Sequence, residues 1–281
     1  MNLSQNINSF LEFPENFNNE RDQNIGNGQF PRRADINQPV GSFYGFRYQG
    51  VWPSDEDVVA LGRDGDVLVD VNGDPVPLSY KGIYRFQGGD AMYADLNGDG
   101  TIDILDVTYL GDSNPDFIGG FGFNVLWKDF RFSTQWHFRT GFQIVNEIAM
   151  NTQSMLGKDN QSMAVKHRWR AQGQNEPDML PRAYLDHPAN NLGSDRYVED
   201  GDFLRLLNMT LSYKLPKSIC NRLRVQNLQA GVTARRLITF TGYSGQDPEI
   251  PQEIDDPFWF GTDKARTPPP KSITVSMQVG F

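Results

Sequence analysis

The densest set of possible metal ligands in the chain lies between Asp95 and Asp106. In Asp95-Leu96-Asn97-Gly98-Asp99-Gly100-Thr101-Ile102-Asp103-Ile104-Leu105-Asp106, oxygen-bearing side chains occupy loop positions 1, 3, 5, 9 and 12, with Gly at position 6 and an apolar residue at 8. Calcium takes six to eight oxygen ligands, the Gly permits the sharp turn that gathers positions 1, 3 and 5, and position 7, here Thr101, offers its main-chain carbonyl. The spacing therefore predicts a structural calcium site at Asp95, Asn97, Asp99, Thr101, Asp103 and Asp106, inside an acidic loop spanning residues 88–116. Two features depart from the EF-hand pattern: Asp106 is shorter than the usual Glu, and Gly88-Gly89-Asp90-Ala91-Met92-Tyr93 does not read as a leading helix. An acidic loop closed by Asx turns, without metal, is the alternative. A sensor role would need two flanking helices.

Other chemistry is sparse. His137, His167 and His187 are far apart and lack the HExxH spacing of a metal protease, and no GxSxG, P-loop or dinucleotide-binding GxGxxG precedes a helix. Glu199, Asp200 and Asp202 lie too close together at a strand entrance to act as a glycosidase pair, and read as a solvated acidic knot or a second cation patch. The single Cys220 excludes an internal disulfide and any cysteine metal cluster. The chain is not expected to be an enzyme.

The elements that carry these residues are strands. With 26 basic against 35 acidic side chains the net charge is −9, and no basic run offsets it, which argues against nucleic-acid binding. Hydrophobic residues make up 38% and aromatics 12%, alongside 27 Gly, a balance that suits turn-rich β structure. No apolar run approaches the roughly 18 residues of a spanning helix, and the first residues lack the pattern of a signal peptide. A membrane β-barrel stays open, because its strands alternate and never raise the average hydropathy.

Period-two alternation is clearest from residue 130. Phe130, Phe132, Thr134, Trp136, Phe138, Thr140 and Phe142 fall on one face; Arg131, Ser133, Gln135, His137, Arg139 and Gly141 fall on the other. Phe121, Phe123, Val125 and Trp127 precede it, joined by Lys128-Asp129 as a tight antiparallel hairpin. Similar segments cover Phe203 to Leu215, with Arg205 and Leu206 as exceptions, Leu228 to Arg235, and Ser272 to Phe281. Weaker candidates are the start of the chain, through Leu3, Ile7 and Leu11, and the stretch from Gly41 to Trp52. Several segments reach the roughly 9–11 residues of a tilted membrane strand, against about 5–6 for a soluble one. Connections alternate between short (Lys128-Asp129, Pro216 to Asn221) and long (143–202, 242–270), as in outer-membrane barrels. The long connection from 143 to 170 is expected to hold one or two short amphipathic helices. A soluble β-sandwich remains the competing architecture.

Several stretches, in order along the chain, resemble the C-terminal region of SusC/RagA-type TonB-linked outer-membrane transporters. They are Gly41-Ser42-Phe43-Tyr44-Gly45-Phe46 with Gly50-Val51-Trp52; Gly89-Asp90-Ala91-Met92-Tyr93 leading into the acidic loop; and Gly111-Asp112-Ser113-Asn114-Pro115. Ser194 to Gly201 with Phe203-Leu204-Arg205-Leu206, Phe240 to Glu249, the prolines 268–270 and the terminal strand ending in Phe281 complete the series.

The resemblance implies an all-β fold: an antiparallel transmembrane barrel fragment, residues 1–281 forming the C-terminal part of a 22-stranded plugged barrel with long extracellular loops that contain short helices. It implies uptake of glycan or peptide oligomers across the outer membrane of a Gram-negative bacterium. A SusD-like surface lipoprotein would close the extracellular mouth, and TonB would supply energy through N-terminal regions. The polar strand faces, with Arg131, Gln135, His137 and Arg139, would line the lumen, and the apolar faces would meet outer-membrane lipid. Phe281 would be the C-terminal signal read by the barrel-assembly machinery. Signal peptide, plug and N-terminal barrel strands are absent from the 281 residues, so the expectation is a fragment that cannot close a barrel alone. The competing function is a soluble, calcium-stabilised β-domain that binds carbohydrate or a partner protein. The direction of the two N-terminal strands is left open by the sequence.

Overall fold

The computed structural model describes residues 1–15, 20–22, 28–185, 187–249 and 261–281. The part of the long 242–270 connection at 250–260 lies outside the described residues. Two regions organise the rest: an open sheet, and a lobe built from the long connections.

The sheet has seven strands: β1 (Asn2–Gln5), β2 (Phe117–Trp127), β3 (Phe130–Thr140), β4 (Phe203–Lys214), β5 (Asn227–Arg235), β6 (Thr239–Thr241) and β7 (Ser272–Gly280). Their order is β1-β2-β3-β4-β5-β7, with β6 also paired to β4, and every pairing is antiparallel. β2 and β3 form the expected hairpin, pairing Trp127 with Phe130 across a two-residue turn in which Lys128 takes a φ of 55°. Such a left-handed turn residue matches the twist of the flanking strands. Aromatics gather at this end: the Phe130 ring stacks on Tyr213 at 4.4 Å and faces Trp127 at 6.2 Å.

β4 explains the two exceptions to its alternation. Gln135 pairs with Asn208 but Trp136 pairs with Leu206, so Leu207 is a bulge residue. Beyond the bulge every side chain changes face, which puts Leu204 and Leu206 with the apolar set and Arg205 with the polar one. The strand ends before Pro216, which has no N–H to give a sheet. The connection that follows is not merely a polar turn, since it folds as α2 (Lys217–Leu223), burying Cys220 and closing at Arg224 with a φ of 56°.

Topology places all long excursions at one end. β1 leaves the sheet at Gln5, opposite Phe117 where β2 enters; β3 leaves at Thr140, and β4 enters at Phe203 beside Arg139. The other end holds Lys128-Asp129, the α2 connection and Phe281, which stands just beyond β7 and is exposed. The antiparallel pairing of β1 with β2 also fixes the direction of the first strand relative to the others.

The lobe corrects the reading of Gly41 to Trp52. Its strands Ser42–Gly45 and Tyr48–Val51 pair with Thr108–Asp112 and Ala91–Tyr93, outside the main sheet. All four residues of Ser42–Gly45 are buried. A strand covered on both faces belongs to a packed interior, whereas a strand between lumen and lipid alternates. Tyr44 and Phe46 join Val58, Leu78, Phe86, Tyr93, Ile102 and Leu192 in the main core. Phe142 is also moved: β3 stops at Thr140, Gly141 turns the chain with a φ of 78°, and Phe142 packs with Ile144, Phe203 and Tyr243. The 143–202 connection contains α1 (Glu147–Gln153), capped by the Asn146 side chain, and a short 3-10 turn at Met163–His167. Among the described residues no helix is long and apolar enough to cross a membrane.

Candidate functional site

The sheet is two-faced. One face carries Phe121, Phe123, Val125, Trp127, Leu211, Val232, Val275 and Met277, all exposed; Trp127 keeps 63% and Val275 78% of its surface. The other face carries Arg131, Gln135, His137 and Arg139, whose cross-strand neighbours are Ser212, Asn208, Arg205 and Phe203. Gln135 and His137, with Asn208, Thr210, Thr233 and Arg235, line a trough of about 1060 Å³ on this face, and Asn208 donates to Gln135 at 2.9 Å. Arg131 lies toward the hairpin and Arg139 toward the lobe.

Charge on the sheet is one-sided. None of the seven strands contains an Asp or Glu, while Arg131, His137, Arg139, Arg205, Lys214 and Arg235 all project on the polar face. The acids that meet this wall come from residues following β6. Arg205, whose side chain is 3% exposed, pairs with Asp247, donates to Glu249 at 2.6 Å and reaches Thr239 Oγ1 at 3.2 Å. Arg139 lies 3.5 Å from Glu249. Sequence reading missed this cluster, although Arg205 had already stood out as a break in the alternation.

The acidic loop belongs to the lobe. Gly98 and Gly100 take φ of 69° and 83°, values that favour glycine, and the turn they allow folds the loop back on Asp95. Asp95 Oδ1 accepts from the Gly98 amide at 2.7 Å and Asp95 Oδ2 from Gly100 at 2.7 Å; Asp99 accepts from Thr101 at 2.8 Å and from the Asn97 amide group at 2.8 Å. Asp103 caps a short 3-10 turn through Leu105 at 2.8 Å. Asp106 is fully buried, accepting from Leu96 at 2.8 Å and Asp103 at 2.9 Å, and burial pushes its carboxyl up against the pull of those amides. The donors are hard oxygens of the kind calcium prefers. As arranged, however, they face main-chain amides, and among the described residues no three Asp, Glu, His or Cys side chains converge as metal ligands.

A second buried carboxylate went unnoticed in the sequence. Asp90, fully buried, receives Arg182 Nε at 2.7 Å, Tyr84 Oη at 2.6 Å, the Gln87 amide at 2.9 Å and Asn190 Nδ2 at 3.1 Å. Burial, then the hydrogen bond to Asp90 and its charge, push the Tyr84 phenol up. This network ties residues 84–91 to 182–190. Its signal lay in the Gly89-Asp90 segment, but its partner Arg182 is too distant in sequence to be found by spacing. Of the three histidines, His187 stacks on Tyr184 at 4.6 Å and lies 3.9 Å from Tyr84, His167 contacts Glu176 at 3.6 Å, and His137 lies on the sheet. The structure brings no two of them together. Glu199 binds the Asn146 and Ser244 side chains, each at 2.8 Å, as a structural tie and not as half of an acid pair.

No protein-family profile matches the chain. It is similar to TonB-dependent receptor P3 of Formosa agariphila, 27% identical over 287 residues that cover 100% of this chain and 26% of that protein. It is also similar to TonB-dependent receptor P26 of the same organism, 27% identical over 92% of this chain and 24% of that protein. The fold is shared with the RagAB peptide importer in its open-open state, at a TM-score of 0.60 and 20% identity, covering 96% of this chain and 25% of that one. For the closed-closed state the TM-score is 0.58, over 91% and 24%. The chain thus spans about a quarter of the length of the relatives it matches. Those relatives are receptors and transporters, not enzymes. The chain is thus similar to proteins named TonB-dependent receptors, in a way that fits a C-terminal portion of one.

Proposed function

We propose that this chain forms part of the wall of a SusC/RagA-like, TonB-dependent transporter in the outer membrane of a Gram-negative bacterium, taking up glycan or peptide oligomers. The observation that carries the reading is the exposed apolar face of a sheet whose strands β2, β3 and β4 are 11, 11 and 12 residues long. Eleven residues of strand, tilted, match the thickness of bilayer hydrocarbon, and apolar side chains in that number are stable only against lipid or a further protein layer. The polar face, with Arg131, Gln135, His137 and Arg139, would then line the lumen, and the lobe would stand at the extracellular end. A soluble domain would turn the apolar face inward, which this sheet does not do.

The edges β1 and β7 leave main-chain groups unpaired, a condition hydrocarbon does not tolerate. In this reading further strands complete a 22-stranded plugged barrel, a SusD-like lipoprotein covers the mouth, TonB acts through the N-terminal part of the whole transporter, and Phe281 is read by the barrel-assembly machinery. Calcium in the acidic loop is proposed on its spacing alone. Extraction tests the membrane assignment: the chain is expected to need detergent or denaturant, and recovery as a monodisperse soluble monomer would overturn it.

A further inference from the structure

The polar wall of the sheet is basic in an acidic protein. The net charge is −9, yet the seven strands hold no acidic residue and direct all their basic ones to a single face. At the lobe end of that face, Arg139 and Arg205 lie in neighbouring strands, two residues apart in register, with His137 directly opposite Arg205. Two carboxylates sit on them, both carried by a short arm, residues 245–249. Arg205 divides its guanidinium between Asp247 and Glu249, and Glu249 bridges to Arg139. Arg139 Nε is enclosed and has no hydrogen-bond partner among the described residues, so this anion cradle is one donor short of being filled.

Among the described residues, the arm is tied to the lobe at its root. Ser244 is held by Glu199 at 2.8 Å and Tyr243 by Asp263 at 2.7 Å. Among the described residues, the side-chain ties of 245–249 to other segments are those from Asp247 and Glu249 to the two arginines. Arg205, 3% exposed, keeps its charge there by meeting two carboxylates, the same fork geometry with which a guanidinium recognises a carboxylate on a ligand.

We propose that Arg139 and Arg205 form a carboxylate-binding site on the lumen wall, that Asp247 and Glu249 occupy it as internal stand-ins, and that the substrate is an oligomer bearing carboxylates which displaces the arm. The inference rests on the transporter reading and narrows its substrate class. Acidic peptides and uronic-acid oligosaccharides present the same chemistry.

The test uses the full chain in detergent, with circular dichroism and heat-modified gel mobility as checks of fold. Binding of labelled pentaglutamate is compared with pentaglutamine, and trigalacturonate with its neutral galactose trimer. Asp247→Asn with Glu249→Gln is expected to tighten the acidic probes about tenfold, the scale of one charge-assisted hydrogen bond, and to leave the neutral probes unchanged. Arg139→Gln, at a partly exposed site that folding tolerates better than Arg205, is expected to remove the gain. Tightening for the peptide alone or for the uronate alone supports the site and names the source. Equal tightening of neutral probes, or none in a folded arm variant, overturns it and leaves the arm as a structural strap. A chain that needs detergent and fails this test retains the transporter reading; a soluble chain loses that reading whatever it binds.

Discussion

The sheet and the lobe use the same residues in opposite ways. In the lobe, Phe43, Tyr44 and Phe46 follow one another closely along the chain and are all buried at 1% exposure or less. In the sheet, Phe121, Phe123 and Val125 alternate with Gly122 and Asn124 and remain open to the surroundings. Aromatic content therefore says little about where a segment is buried. What differs is period: alternation marks a strand with two solvents, and consecutive burial marks a strand inside a protein core. The lobe gains stability from its own interior, while the sheet presents its apolar area to something outside the chain.

The sharpest break of this contrast is at Asp90. It is a fully buried carboxylate of the lobe and meets Arg182, Tyr84 and Asn190. Asp90→Ala leaves the guanidinium uncompensated and is expected to destabilise the lobe by about 3–5 kcal/mol, the usual result of breaking a buried pair. Hydrogen exchange read by mass spectrometry should show faster exchange at 84–93 and 187–197 with β2 to β5 unchanged. Loss of protection in the sheet to the same degree would mean that the two regions are one cooperative unit.

A second test exchanges the faces of β7. Val275→Arg puts a charge on the apolar face and is expected to cost about 2–4 kcal/mol near the bilayer midplane, measured by urea titration of the whole transporter refolded into phospholipid vesicles. Thr274→Arg, on the polar face one residue away, is expected to cost far less. Equal costs would remove the distinction between lipid and lumen sides.

Calcium sharpens the comparison from the lobe side. Each carboxylate has about four lone-pair sites, so amide contacts at Asp95, Asp99 and Asp106 leave capacity for a cation. If the loop binds calcium, saturation at one hundred times the dissociation constant adds about 2.7 kcal/mol, visible as a higher melting temperature of the lobe and abolished by Asp95→Ala with Asp99→Ala. Indifference to both would leave the loop as an Asx-turn structure held by its own amides.

What was legible in the sequence followed from local rules. The β2–β3 hairpin was visible because two residues separate two alternating runs, and the acidic loop because ligand spacing and Gly100 lie within twelve positions. The bulge at Leu207 was visible only as an anomaly at Arg205 and Leu206, because a register shift depends on the partner strand. The lobe was not legible as a separate core: its strands are 2 to 5 residues long, too short to show a period, and they pair with distant segments such as 91–93 and 108–112. Asp90 and Arg182 meet across 92 positions, beyond the reach of any spacing rule.

The smallest expected effect is a pH dependence confined to the lobe. His187 stacks on Tyr184 and packs at a tilt against Tyr84, and burial holds its imidazole below the usual range; the Asp90 charge opposes this and Arg182 adds to it. A histidine whose folded pKa is depressed binds its proton more tightly in the unfolded chain. Its neutral form therefore supports the fold above the ordinary value near 6.5, and that support is lost as the pH falls from there through the depressed folded value. Asp106 acts in the opposite sense. Its raised carboxyl is most costly when ionised, and protonation relieves that cost as the pH falls through its folded value toward 3.8. Melting of the lobe between pH 8 and 5 should accordingly fall with acidity by less than any effect above, and His187→Phe should flatten the profile, because Phe keeps the ring stack and cannot take a proton. The sheet strands, with His137 as their one histidine and no carboxylates, provide the internal comparison. A slope that survives His187→Phe would assign the titration to another group and detach it from the Tyr84–Asp90–Arg182 network.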